Sequence, residues 1–145
     1  MSLPLDELYR EVILDHYKRP RNRGQLDPRS ARVEGNNPLC GDEIQMDLLV
    51  KDGTVDGVAF EGRGCSISQA SASMLTEAVK DRPLDEVRHL IESFKGMMHG
   101  QDVDLDELGD LESLEGVQKF PVRIKCALLA WTTLEEALKE AAPTP

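Results

Sequence analysis

The sequence predicts an α+β fold in which a three-stranded antiparallel sheet is packed by several helices on one face. Two observations support this fold class. One stretch alternates apolar and polar residues ahead of an Asp-Gly turn, which is typical of a β-hairpin. Four other stretches repeat apolar residues at helical spacing. The chain has 145 residues and is 40% hydrophobic, so we expect residues 1–145 to form one domain with its own core.

The predicted hairpin spans residues 43–61. In residues 43–51 the even-numbered positions are apolar and most odd-numbered positions are polar, and Asp52-Gly53 supplies a two-residue turn. The chain then returns through a second strand, and a third strand begins near Arg32. Antiparallel pairing about the turn sets residue 42 opposite residue 63. Cys40 and Cys65 are therefore predicted to lie near each other at the open end of the hairpin.

Helices are predicted over residues 4–17, 66–80, 84–95 and 122–140. The second is rich in Ala and Ser, which permit close approach to a sheet, and the fourth follows Pro121, a residue favoured in a first helical turn. Between the third and fourth helices, residues 96–116 carry leucines three positions apart in an acidic stretch. This spacing predicts one or two short helical turns that cover the core.

The charge and hydropathy of the chain limit the classes of partner that it can bind. The formal net charge is −10, which argues against a general nucleic-acid binder. No stretch is long and apolar enough for a membrane span, and no signal-peptide pattern opens the chain, so we expect a cytoplasmic location and no membrane partner. Residues 10–32 hold seven Lys or Arg against three acidic residues, while residues 101–116 hold seven acidic residues and no basic one. This uneven distribution of charge suits docking to protein partners, although two stretches of solvent-exposed surface without a partner would give the same pattern.

Cys40 and Asp42 are the first candidate metal ligands. Gly41 separates them, so a thiolate and a carboxylate can face one point if the loop turns on itself. Should the fold bring Cys65 and Cys126 to this loop, three sulfurs and one oxygen would suit zinc or an iron–sulfur cluster better than magnesium or calcium. The alternative is that the three cysteines are inert buried thiols. From sequence position alone, Cys126 is the least secure of the four candidate ligands.

The chemistry open to such a site depends on the thiolates. Cys65 is predicted at a helix N-terminus, where the helix dipole favours thiolate over thiol. The site could be structural, could hold a cluster briefly, or could pass sulfur on, and Asp42, the hardest ligand, is predicted to be its exchangeable arm. His16 and His99 are weaker candidates. We assign His16 a structural role near a helix C-terminus and place His99 on the surface.

Four stretches carry a wider resemblance: YREVILDHYKRPRNRG (residues 9–24), NPLCGDEI (37–44), GRGCSISQASASML (62–75) and FPVRIKCALLAW (120–131). With the three cysteines and the aspartate two residues after the first, they resemble the IscU/NifU-N family of iron–sulfur cluster assembly proteins, and its SufU branch in particular. The resemblance covers nearly the whole chain. It implies a SufE/NifU-like fold and the metal ligands Cys40, Asp42, Cys65 and Cys126.

Two features set the sequence apart from scaffold-type members of the family. Lys125 stands where the scaffolds have a histidine, and residues 96–117 look like a SufU-type insertion. The resemblance then implies a zinc protein, with sulfurtransferase activity left open, that accepts persulfide sulfur on Cys40 from a SufS-type cysteine desulfurase and serves downstream iron–sulfur assembly proteins. Arg123 and Lys125 would offset the thiolate charge or simply be exposed.

Two alternatives remain open at this point. The first is a scaffold that assembles a transient [2Fe–2S] cluster, or binds iron, on the same ligands. The second is a zinc-stabilised interaction module without catalytic chemistry.

Overall fold

The computed structural model describes residues 5–141, with the side chains of residues 5–8 outside the description. The elements follow in the order α1 (Leu5–Lys18), β1 (Ala31–Asn37), β2 (Asp42–Lys51), β3 (Thr54–Arg63), α2 (Ser66–Val79), α3 (Leu84–Met98), α4 (Leu105–Leu108), a 3-10 helix (Gly109–Lys119) and α5 (Pro121–Ala141). The predicted fold class is confirmed, and Pro4, predicted to begin the first helix, lies outside the described residues. Among the helices described, none has the length and apolar character needed to cross a membrane.

The three strands form one antiparallel sheet in the order β1-β2-β3. The apolar side chains of β2, Ile44, Met46 and Leu48, are buried beneath α5, which also packs against β1. The predicted register holds beside the turn, where Lys51 pairs with Thr54 and Val50 with Val55. It is wrong by one residue further on, because a bulge at Leu49/Val50 leaves Glu43, not Asp42, opposite Arg63.

Two buried hydrogen bonds fix α5 against α2. The Ser71 hydroxyl donates to the Ala127 carbonyl at 2.7 Å and accepts from Trp131 Nε1 at 3.1 Å. The Trp131 ring stacks on Phe94 with centroids 4.5 Å apart. On the sheet side Gly35 allows close packing, because a Cβ there would overlap the Thr133 side chain. The first turns of α5 are therefore held over the end of β1.

The acidic segment 101–119 packs against the chain itself. Its predicted leucine face is buried through Leu108, Leu111 and Leu114. Tyr9 of α1 donates to Glu112 at 2.8 Å, which raises the pKa of Tyr9 to about 12. His16 is buried, with Nδ1 2.8 Å from Ser73 Oγ and Nε2 3.3 Å from Asp110. The structural role predicted for His16 is thus confirmed.

The outer face of the sheet carries a buried ion pair between Arg32 and Asp47. The guanidinium donates to both carboxylate oxygens at 2.7 and 2.9 Å, and the Leu26 backbone N–H donates to one of them at 2.8 Å. These bonds, the one from Arg32 first, lower the pKa of Asp47. The loop before β1 is thereby tied to the central strand.

We expect Asp47→Asn to lower the free energy of unfolding by about 3 kcal/mol at pH 7, since it removes one partner of a buried pair. Because the pKa of Asp47 is lowered on folding, its contribution is complete above the unfolded value of about 3.9 and is lost as pH falls through the folded value. Urea unfolding should show a smaller difference in free energy of unfolding between wild type and variant below about pH 4 than at pH 7.

The matched control is Asp56→Asn, which changes an exposed carboxylate of β3 and should alter the free energy of unfolding by less than about 0.5 kcal/mol. An equally large loss in both variants would contradict the prediction.

Candidate metal centre

Three of the four predicted ligands come together at the open end of the hairpin. Cys40 lies in the turn between β1 and β2, Asp42 begins β2 and Cys126 lies in the second turn of α5. The sulfurs of Cys40 and Cys126 are 3.1 Å apart, and one ligand atom from each of the three residues lies within 4.8 Å of the other two. Cys126, the least secure candidate from the sequence, is therefore central to this group. Cys65, which precedes α2, lies beside the group and outside those mutual distances, and we call the four residues together the four-residue site.

Cys65 joins the site through Asp42. Its sulfur is 4.0 Å from Asp42 Oδ2, and its backbone N–H donates to Asp42 Oδ1 at 2.9 Å. The same sulfur caps α2 by accepting from the Ser68 N–H at 3.5 Å. The N-terminus of α2 therefore faces both the sulfur and the carboxylate.

Asp42 is the most enclosed member of the site. Its side chain is 0% exposed, and a Cβ at Gly64 would overlap its carboxylate. A buried carboxylate is costly unless hydrogen bonds or positive charge compensate it. The Cys65 N–H supplies one such bond, and a bound cation would supply the rest.

The pKa values of Cys126 and Arg123 are both raised by the groups packed around them. The pKa of the Cys126 thiol lies far above its ordinary value, first because the sulfur is buried and then because Cys40, Asp42 and Cys65 are close. The pKa of Arg123 is raised by its hydrogen bond with the Cys126 sulfur and then by the charge of Cys65. Both cations considered from the sequence are exposed, and Arg123 is the one that interacts with the thiols.

The donor set fits zinc. Tetrahedral zinc with Zn–S bonds of about 2.3 Å separates its sulfurs by about 3.8 Å. The sulfurs of Cys40 and Cys126, 3.1 Å apart, are somewhat closer than that, and the Cys65 sulfur is 4.0 Å from the Asp42 oxygen. Small side-chain adjustments would thus bring three sulfurs and one oxygen onto one ion. Since ligand sulfurs must be deprotonated, a divalent cation would also relieve the charge conflict at Cys126.

Two features of the site were missed from the sequence. The amide of Asn37 donates to the Cys126 sulfur at 3.8 Å. Three apolar side chains are exposed beside the sulfurs: Leu39, Phe120 and Val122, at 70%, 62% and 60%. The sequence offered a signal only for this last feature, in the apolar residues that flank Cys40 and open α5. His99, by contrast, is exposed and bonds the Lys95 carbonyl, away from the four-residue site.

Comparison with known proteins agrees with this geometry. The NifU-like N terminal domain family matches residues 8–140. The chain is 49% identical over 135 residues to the zinc-dependent sulfurtransferase SufU of Bacillus subtilis, covering 92% of this chain and 91% of that protein. It is 46% identical over 139 residues to the iron–sulfur cluster assembly scaffold protein IscU of Streptococcus pyogenes, with 95% and 87% covered.

A solved structure shows the same fold. The crystal structure of the SufU protein of Fervidobacterium islandicum, described as an iron–sulfur cluster assembly scaffold for the SUF system, superposes with a TM-score of 0.85 at 36% identity, covering 89% of this chain and 95% of that one. Taken with the match over residues 8–140, this likeness means that the chain belongs to the NifU-like N terminal domain family.

Proposed function

We propose that the protein is a zinc-binding sulfur acceptor in iron–sulfur cluster biogenesis, which takes persulfide sulfur from a SufS-type cysteine desulfurase. Zinc would be held by Cys40, Asp42, Cys65 and Cys126, and Cys40 would accept the sulfur. One observation carries this proposal. Within one site, Cys40 is half-buried in a turn while Asp42 and Cys126 are fully buried on a strand and a helix. Cys65 is also half-buried, but its sulfur caps α2 by accepting from the Ser68 N–H. Cys40 is therefore the accessible sulfur that can move to a partner while the others stay in place.

The transfer step follows from thiolate chemistry. When bound, zinc keeps the sulfurs deprotonated. The Cys40 thiolate attacks the outer sulfur of the desulfurase persulfide, a new S–S bond forms at Cys40, and the desulfurase cysteine leaves as a thiolate. The products are a persulfide on Cys40 and the resting desulfurase thiol. No outside oxidant or reductant is needed, because the outer sulfur moves with its oxidation state unchanged.

The desulfurase would dock on the apolar rim, which we define as Leu39, Phe120 and Val122. Leu39 directly precedes Cys40, and the Val122 carbonyl is 3.9 Å from the Cys126 sulfur. Leu39 and Val122 thus adjoin the two close sulfurs along the chain, and Phe120 is exposed two residues before Val122. Contact over the rim would place the persulfide at Cys40 and exclude water from the transfer.

Residues 96–117 fit the proposed SufU-type role as an insertion within one domain. The part that forms α4 and the 3-10 helix is bound to α1 through Tyr9 and His16, and the 3-10 helix leads directly into α5, which carries Cys126. The segment therefore packs against α2 and α5, the two helices next to the site. The name of the Streptococcus pyogenes relative keeps the scaffold function as the second candidate.

The central test is desulfurase turnover with and without this protein. Wild type should raise turnover of a SufS-type desulfurase, and Cys40→Ser should return it to the level of the enzyme alone, because the accepting thiolate is gone. The zinc content of both proteins is measured in the same series. Full stimulation by Cys40→Ser would rule out Cys40 as the acceptor. No stimulation by wild type, with a chromophore formed from iron and sulfide and delivered to an apo-protein, would instead favour the scaffold.

The ligand set is tested at Gly64, where a Cβ would overlap the Asp42 carboxylate most severely and would also crowd the Ser68 hydroxyl. Gly64→Ala should displace the Asp42 carboxylate and weaken zinc binding by about 10–100-fold in competition with a chromophoric chelator. Gly116→Ala is the matched control, because a Cβ there meets no atom within 4 Å, and it should bind zinc as wild type does. Unchanged zinc affinity in Gly64→Ala would remove Asp42 from the ligand set.

The docking surface is tested at Phe120. Phe120→Asp should raise the concentration needed for half-maximal desulfurase stimulation by about tenfold or more, since a buried aromatic at an interface is commonly worth over 1 kcal/mol. Zinc content should stay unchanged. Phe120→Leu, which keeps an apolar side chain, should lie close to wild type. Equal stimulation by Phe120→Asp and wild type would show that the rim is not the docking surface.

A further inference from the structure

Asn37 contacts three of the four residues of the site. It ends β1, where it is the register partner of Asp42 in β2. Its carbonyl accepts the Cys40 N–H at 3.2 Å. Its side-chain Nδ2 donates to the Cys126 sulfur at 3.8 Å. The residue is only 7% exposed, so this amide hydrogen bonds to a sulfur in a place where water has little access.

We propose that Asn37 is a positioning residue that distinguishes the two adjacent sulfurs: its amide keeps Cys126 in place as a metal ligand and leaves Cys40 as the sulfur that reacts. The inference rests on the proposed function and adds to it the residue that selects the acceptor. Cys40 and Cys126 lie 3.1 Å apart in one site. Burial makes Cys40 the more accessible of the two, and the Asn37 amide adds a difference in how each sulfur is bonded.

The amide supplies a difference in chemistry. An N–H donor directed at a metal-bound thiolate draws negative charge from the sulfur and makes it a poorer nucleophile, while it also orients that ligand. A thiolate can only accept a hydrogen bond, so the amide must present its nitrogen and not its oxygen. Cys126 receives this donor, whereas the side-chain amide makes no such bond to the Cys40 sulfur.

The backbone supplies a difference in mobility. The Asn37 side chain projects from a strand that is paired along its length with β2, so the hydrogen bond to Cys126 has a rigid origin. Cys40 is held to Asn37 by one turn hydrogen bond, and its neighbour Leu39 is exposed. Cys40 can therefore move outward to a partner while the contact between Asn37 and Cys126 stays intact.

The test uses Asn37→Asp on the zinc-loaded protein. This near-isosteric change removes the donor and sets a negative oxygen beside the Cys126 sulfur. Zinc transfer to a chromophoric chelator should become about 10–100-fold more favourable. Brief alkylation with iodoacetamide, followed by mass spectrometry of each cysteine peptide, should label Cys40 first in wild type but both Cys40 and Cys126 in the variant. The labelling order is the readout that a purely structural role of Asn37 would not move.

The matched control is Asn36→Asp, which makes the same change of charge at the exposed neighbouring residue and should keep wild-type zinc affinity and labelling. Asn37→Ala, which removes the amide without adding charge, serves if Asn37→Asp does not fold, and it should also lose the preference for Cys40. Wild-type zinc affinity and labelling order in a folded Asn37 variant would overturn the inference and leave the proposed function standing. A wild-type protein that retains no zinc would overturn both.

Discussion

The buried carboxylate of Asp42 is the constraint on which the site depends. It is fully enclosed, it accepts the backbone N–H of Cys65, and the absence of a side chain at Gly64 leaves room for it. A negative group in such a place requires compensation. The N-terminus of α2 gives part of it, and the remaining need for positive charge favours a metal ion at the neighbouring sulfurs over three inert buried thiols.

This constraint also divides the site into fixed and movable parts. From the sequence, Asp42 was expected to be the exchangeable arm because a carboxylate is the hardest of the four ligands. Its burial and its hydrogen bond to Cys65 favour the opposite arrangement, in which Asp42 and Cys126 are fixed. Cys40, half-buried in a turn, is the ligand whose departure disturbs the fewest contacts. Ligand chemistry and packing thus point to different movable ligands, and the exchangeable role of Asp42 remains a prediction.

Local signals predicted most of the fold. The Asp52-Gly53 turn and the alternation in β2 were sufficient for the hairpin, and the small residues of α2 anticipated its close packing. The bulge beside Val50 was not predicted, although Gly57 in β3, the partner of Leu49 and the neighbour of the extra residue, is the kind of strand glycine that marks a bulge. The contact between Asn37 and Cys126 spans 89 positions of sequence. It exists only because Ser71 and Trp131 fix α5 in place, so only tertiary packing reveals it.

The charge balance of the proposed zinc site gives a reason for the accessibility of the Cys40 sulfur. Three thiolates and a carboxylate around one divalent cation leave a net charge of about −2, which Arg123 offsets in part. A thiolate that leaves the metal must be solvated, and water can reach Cys40 but not Cys126. A purely structural zinc site has no need of such an exposed ligand. A partner that covers Leu39, Phe120 and Val122 would exclude water from the surroundings of Cys40. Because the Cys40 thiolate is then less stabilised by solvent, it becomes more reactive while the partner's persulfide is next to it.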